Sequence, residues 1–164
     1  MISVQRVIMA AFFVVTVVSA FLISYNVYQI FGAYDIVRFM NASISKIDIT
    51  PSGSQTSLEM YFLFNNSSNR PVELVYAAAF VYLNGQELTP SYAPATLIIY
   101  SNPISLQPFS AVSVPIGLGN VPSNKVPVNP PWHWFIKLQF IVSHVPLVGT
   151  EGYTLYLQKT ENGS

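Results

Sequence analysis

The 164-residue chain is 51% apolar and only 9% charged, where ordinary soluble domains carry about 25% charge. Seven basic residues balance seven acidic ones and there is no cysteine. This excludes a basic nucleic-acid surface, a disordered polyelectrolyte, disulfides, thiol catalysis and cysteine-ligated metal. A mean hydropathy of +0.43 points towards a membrane.

From Val7 to Tyr34 no residue is charged. The run is longer than the ~20 residues that cross a bilayer core and longer than the ~7–15 apolar residues of a secretory signal, and no Ala-x-Ala cleavage site follows it. The expected organisation is a cytoplasmic terminus over 1–6, a transmembrane helix over 7–34, a linker over 35–42, a β-sandwich over 43–160 and a tail over 161–164. Arg6 on the short side would keep that end cytoplasmic, which places the sandwich outside the plasma membrane. Tyr25, Tyr28 and Tyr34 stand where an aromatic belt would mark the exit from the bilayer. Among the polar residues in or near the span, Asn26 and Gln29 are candidates for contact with a partner helix.

Four N-x-[ST] sequons agree with an external location: Asn41-Ala-Ser43, Asn65-Asn-Ser67, Asn66-Ser-Ser68 and Asn162-Gly-Ser164. Asn65 and Asn66 fall in a polar turn, and only one of two adjacent residues is expected to carry a glycan.

Past residue 42 the apolar period becomes two. Leu58, Met60, Phe62 and Phe64 share one face and Glu59, Tyr61 and Leu63 the other. Val112, Val114, Ile116 and Leu118 alternate with Ser113, Pro115 and Gly117. Ile136, Leu138, Phe140 and Val142 alternate with Lys137, Gln139 and Ile141. These are half-buried strands, and further strands are expected over 43–49, 73–83, 86–89, 95–100 and 153–159. Asn84-Gly85 suits a type I′ hairpin turn, in which both central residues take positive φ. Pro115 within an alternating run predicts an edge strand or a bulge. Residues 119–131, with four prolines, are expected to be extended and irregular. Short strands at even spacing make an all-β, seven-stranded antiparallel sandwich of the immunoglobulin or fibronectin-III kind, behind one N-terminal transmembrane helix. The scarcity of ionisable side chains predicts a stability that changes little down to about pH 3, as an acidic exterior would demand.

Three segments in order resemble the LEA14-like (LEA type 2, water-stress and hypersensitive-response) β-sandwich family. They are Phe62-Leu63-Phe64-Asn65-Asn66-Ser67-Ser68-Asn69-Arg70-Pro71-Val72-Glu73-Leu74, then Phe80-Val81-Tyr82-Leu83-Asn84-Gly85-Gln86-Glu87-Leu88, and Ile104-Ser105-Leu106-Gln107-Pro108-Phe109-Ser110 leading into Val112–Ile116. The likeness covers residues 43–159 and departs at Asn66-Ser67, where the family has Asn-Pro. It implies a seven-stranded, fibronectin-III-like sandwich, an archaeal anchored form among other members, and no catalytic residues. Archaeal pilins and archaellins also set an apolar helix before a sandwich, but Gln5-Arg6-Val7 lacks the small residue of their processing site.

Chemistry is sparse. His133 and His144 are the only histidines, and neither has the converging ligands a metal site needs. No Gly-x-Ser-x-Gly elbow occurs. No enzyme activity, metal or other cofactor is expected. Trp132 and Trp134 follow the proline loop. One reading has a ring plugging an end of the sandwich. The other has the pair contacting a partner or the bilayer interface. The sequence therefore reads as a non-catalytic accessory or structural subunit that caps a larger membrane complex from outside. One form is a small subunit of an archaeal respiratory or sulfur-oxidising complex. A filament subunit and a free-standing LEA14-like protective or binding module are the alternatives. The expected partners are other membrane-protein subunits and the lipid bilayer.

Overall fold

The computed structural model describes residues 4–89, 93–98, 102–144 and 150–162. The chain divides into two compact units, Met1–Asp35 and Ile36–Ser164. Helix α1 covers Val4–Phe39. It has no proline, and its first glycine is Gly32, so nothing breaks its hydrogen-bond ladder early. The hydroxyl of Thr16 donates to the Phe12 carbonyl at 2.9 Å, and the Asn26 amide to that of Leu22 at 2.9 Å. Val4–Phe31 is long and apolar enough to cross a membrane, and none of its most apolar stretch is buried within the chain.

The expected linker over 35–42 does not form. Strand β1 (Met40–Ser52) begins at the residue after α1 ends, and Met40 and Ala42 are already core residues. The other strands are β2 (Gln55–Asn66), β3 (Val72–Leu83), β4 (Gln86–Glu87), β5 (Ala95–Ile98), β6 (Ile104–Leu106), β7 (Ser110–Pro122), β8 (Trp132–His144) and β9 (Thr150–Glu161). They make two antiparallel sheets. The first has the order β1-β2-β7, the second β4-β3-β8-β9 with β5 and β6 also on β3.

The all-β sandwich holds, but the strand count differs from seven because one edge of the second sheet is broken. Along its side remote from β8, β3 pairs in turn with β6 at Val72–Leu74, β5 at Tyr76–Ala79 and β4 at Tyr82–Leu83. At the break between β5 and β4 the buried Thr89 hydroxyl accepts the Val81 N–H at 2.8 Å, so the interruption leaves no orphan donor there. Asn84 (φ 50) and Gly85 (φ 80) form the β3–β4 turn, as the Asn-Gly pair predicts. Pro115 lies in β7, an edge strand of the first sheet, where a missing N–H costs no ladder bond. Two expectations shift at their ends. Part of 119–131 is regular, since β7 runs to Pro122 and a single 3-10 turn covers Ser123–Lys125. The strand expected over 95–100 is described as far as Ile98.

The core lies between the sheets, where Phe62, Phe64, Leu74, Trp134, Ile136 and Phe140 are fully buried. Phe64 meets Phe140 edge-to-face with centroids 5.1 Å apart, and Tyr153 stacks on Phe140 at 4.7 Å. Such pairs add about 0.5–1.5 kcal/mol beyond burial. At one seam β1 and β9 lie side by side. There a register shift between Ile44 and Lys46 accompanies a hydrogen bond from Lys159 Nζ to the Ser45 carbonyl at 3.1 Å.

Candidate functional site

The sandwich end opposite Met40 is built from the β1–β2 turn, the end of β7 and the start of β8. It contains a cleft of about 280 Å³ whose apolar walls include Ile49, Pro51, Val126, Val128 and Trp132. Trp132 is half-buried and packs against the core cluster. Its indole N–H donates to the Pro127 carbonyl at 3.0 Å, which clamps the proline-rich segment onto the ring. Val128 is 90% exposed. The polar side is a pair of hydroxyls, Thr56 and Ser123, 3.1 Å apart. A cleft of this kind accepts an apolar group, and the described residues that line it include no carboxylate, imidazole or ammonium group.

The two tryptophans part company here. Trp132 borders the cleft and keeps its place as a candidate contact. Trp134 does not: it is 2% exposed, within the core, and the partner-contact reading is withdrawn for it. Its Nε1 finds no acceptor among the described residues. The parity of β8 shows why, because Trp134 stands two residues before Ile136 on the inward face.

The sequons separate in the same way. Asn65 is exposed, whereas Asn66 is fully buried. Asn66 Nδ2 lies within hydrogen-bonding distance of the carbonyls of Arg70 (2.8 Å), Leu106 (3.2 Å) and Gln107 (3.1 Å). Its Oδ1 accepts from the Ser68 N–H at 3.1 Å and the Ser68 hydroxyl at 2.6 Å. Asn66 is thus a structural joint from β2 to the β6 side of the other sheet, and its amide has no room for a glycan. Asn41 is exposed and sits directly opposite Asn65 in the β1–β2 register. Asn162 is exposed, and the end of its sequon, Ser164, lies outside the described residues.

On the same outer surface Lys46 pairs with Asp48 at 2.8 Å, and the Tyr61 hydroxyl donates to Glu59 at 2.9 Å. The hydrogen bond and charge of Asp48 hold the Lys46 ammonium above its ordinary value. The hydrogen bond to Glu59 and partial desolvation raise the Tyr61 phenol.

His133 is exposed, with Nδ1 3.2 Å from the Thr160 hydroxyl, and its backbone N–H donates to Asn84 Oδ1 at 2.8 Å. The His144 side chain lies outside those described. Among the described residues no group of three metal-ligating side chains converges. Within α1, Asn26 bonds its own helix through Nδ2, and Gln29 is half-exposed.

No protein-family model matches the chain, and no curated protein matches it. It is similar to a solved structure described as the crystal structure of protein from Archaeoglobus fulgidus. That likeness has a TM-score of 0.42 and 12% identity, and covers 74% of this chain and 100% of the other.

Proposed function

We propose that the chain is a single-pass, non-catalytic accessory subunit of a larger membrane assembly, with its sandwich outside the plasma membrane. The observation that carries this reading is the length of apolar helix, none of whose most apolar stretch is buried among the described residues, set against a sandwich that completes its own core. An unburied apolar surface of that extent needs lipid or protein to cover it. Arg6 and the exposed Asn41 and Asn65 support the outward orientation of the sandwich. The cleft beside Trp132 supplies an apolar socket at one end of the sandwich, suited to a side chain from a neighbouring subunit.

The test is extraction of native membranes in mild detergent, followed by native mass spectrometry of what co-purifies. A defined hetero-assembly of fixed stoichiometry is the expected result. A lone chain would instead support a free-standing LEA14-like module, and a ladder of identical chains a filament subunit; either would overturn the proposal. Trp132→Ala should weaken retention of partners without loss of fold, and full retention would remove the cleft from the contact.

A further inference from the structure

The outer surface of the second sheet is unlike the solvent face of an ordinary antiparallel sheet. The registers of β3, β8 and β9 align it in rows: Tyr82, Phe135 and Gln158; Phe80, Lys137 and Tyr156; Ala78, Gln139 and Thr154; and Tyr76, Ile141 and Gly152. The first two rows form an aromatic ridge across three strands. Tyr82 and Phe135 lie 5.8 Å apart between centroids, and Phe135 and Tyr156 stack at 6.0 Å with 21° between their planes. Lys137 Nζ lies 5.3 Å from the centre of the Phe80 ring. Phe135 covers one side of Tyr156, yet Tyr156 is 65% exposed.

Beyond the ridge, the missing side chain at Gly152 leaves a depression of about 360 Å³, bordered by Tyr76, Gln139, Ile141 and Thr154. That volume falls within the ~300–1,000 Å³ of small-molecule sites. These rows contain no carboxylate, and their one cation already sits over a ring.

We infer that this face binds a neutral oligosaccharide, with one sugar ring in the depression and the chain running along the aromatic ridge. A pyranose presents an apolar C–H face that suits an aromatic ring and a rim of uncharged hydroxyls. Gln139, Gln158 and Thr154 are neutral groups that both donate and accept. The match is one of charge as well as shape: an uncharged, hydrogen-bonding surface is complementary to an uncharged polyol. An anionic polymer or headgroup would call for a basic cluster. A close-packed apolar protein partner would bury Gln139, Gln158 and Lys137 without partners, leaving their polar groups unsatisfied. Sugar hydroxyls satisfy those groups. The inference does not depend on the membrane assembly proposed above.

The experiment uses the full chain in a detergent without a sugar headgroup, titrated to about 1 mM with maltohexaose, cellohexaose, chitohexaose and mannohexaose. Binding is followed by calorimetry. At least one hexaose should bind, and a maltoside detergent should compete if that hexaose is maltohexaose. Tyr156→Ala should weaken binding by about tenfold, the scale of one lost ring contact. Gly152→Val should abolish it by filling the depression. A Cβ added at Gly152 meets no atom within 4 Å, and valine favours strands, so the thermal midpoint of this variant should be unchanged or higher. Silence of the wild type towards all four hexaoses would overturn the inference. So would undiminished binding by both variants. A second copy covering the face would produce that silence, and would count against it equally.

Discussion

The two outer faces of the sandwich solve one problem in opposite ways. On the first sheet the outward residues answer one another locally: Lys46 with Asp48, Tyr61 with Glu59, and Asn41 opposite Asn65. On the second sheet the outward residues include a run of rings, Phe80, Tyr82, Phe135 and Tyr156, held by stacking and by one cation–π contact. The first face is finished by water and its own pairs. The second presents apolar area that its own contacts leave partly uncovered, and surfaces of that kind mark interaction sites. Sandwich architecture is indifferent to the choice, because both sheets bury the same alternate residues.

The largest expected effect contrasts inside and outside on one strand. Trp134→Ala should cost about 3–5 kcal/mol, as truncation of a buried aromatic does. Its neighbour Phe135→Ala, on the ridge, should cost about 1 kcal/mol. Urea unfolding of the two variants in one detergent reads both. Equal costs would mean that the ridge is part of the core and not a free face. Trp134→Phe should be milder than alanine, since it keeps an aromatic ring in the core and removes an indole N–H that has no acceptor among the described residues.

Next comes the joint. Asn66→Ala strips partners from the carbonyls of Leu106 and Gln107 and from the Ser68 N–H, at a cost of about 3 kcal/mol. Amide exchange should then lose protection in both sheets together, because Asn66 ties them. Loss confined to the first sheet would show that the sheets open separately. In natively expressed chain, peptide mapping should find glycan at Asn41 or Asn65 and none at Asn66.

The smallest effect concerns the first face alone. Lys46 sits above its ordinary 10.5 and Tyr61 above its ordinary 10.0 in the folded chain. In both cases folding favours the protonated form. Their contribution is complete below about pH 10 and is lost as the pH rises through the raised values. Both groups are solvent-exposed, so the effect is small. Lys46→Gln combined with Tyr61→Phe should flatten the alkaline limb of the stability curve, read as the urea midpoint above about pH 10. An unchanged limb would assign that loss to groups elsewhere.

Much of this was legible in the chain itself. The long uncharged run, the alternation in β2, β7 and β8, the Asn-Gly turn and the edge position of Pro115 each follow from one local rule, and local rules survive folding. Two misreadings came from stopping a periodic pattern too soon. The inward parity of Leu58, Met60, Phe62 and Phe64 continues to Asn66, and that of Ile136 and Leu138 reaches back to Trp134. Followed two residues further, the same signal marks both as interior. The linker was misplaced because polar Asn41 and Ser43 hid the inward Met40 and Ala42. The aromatic face was illegible for a different reason. β3 reads VELVYAAAFVYL, with apolar residues on both sides, and a strand without alternation conceals which residues look outward until its neighbours are fixed. The cleft at Trp132 gathers residues from β1, β2, β8 and the 3-10 segment, and no spacing in one strand announces such a convergence.

The bond from Lys159 to the Ser45 carbonyl has a meaning beyond the seam it closes. An apolar helix gathers copies of its chain wherever an apolar phase is offered, and crowding favours strand-to-strand growth between molecules. A bare edge strand is a template for that growth. Here the kinked edge of β1 has one of its outward acceptors occupied by a charged side chain from β9, and β5 lies against β7 at the other seam. Copies held close together can thus stay separate, and ordered polymerisation through sheet edges is discouraged by the same residues that shape the fold.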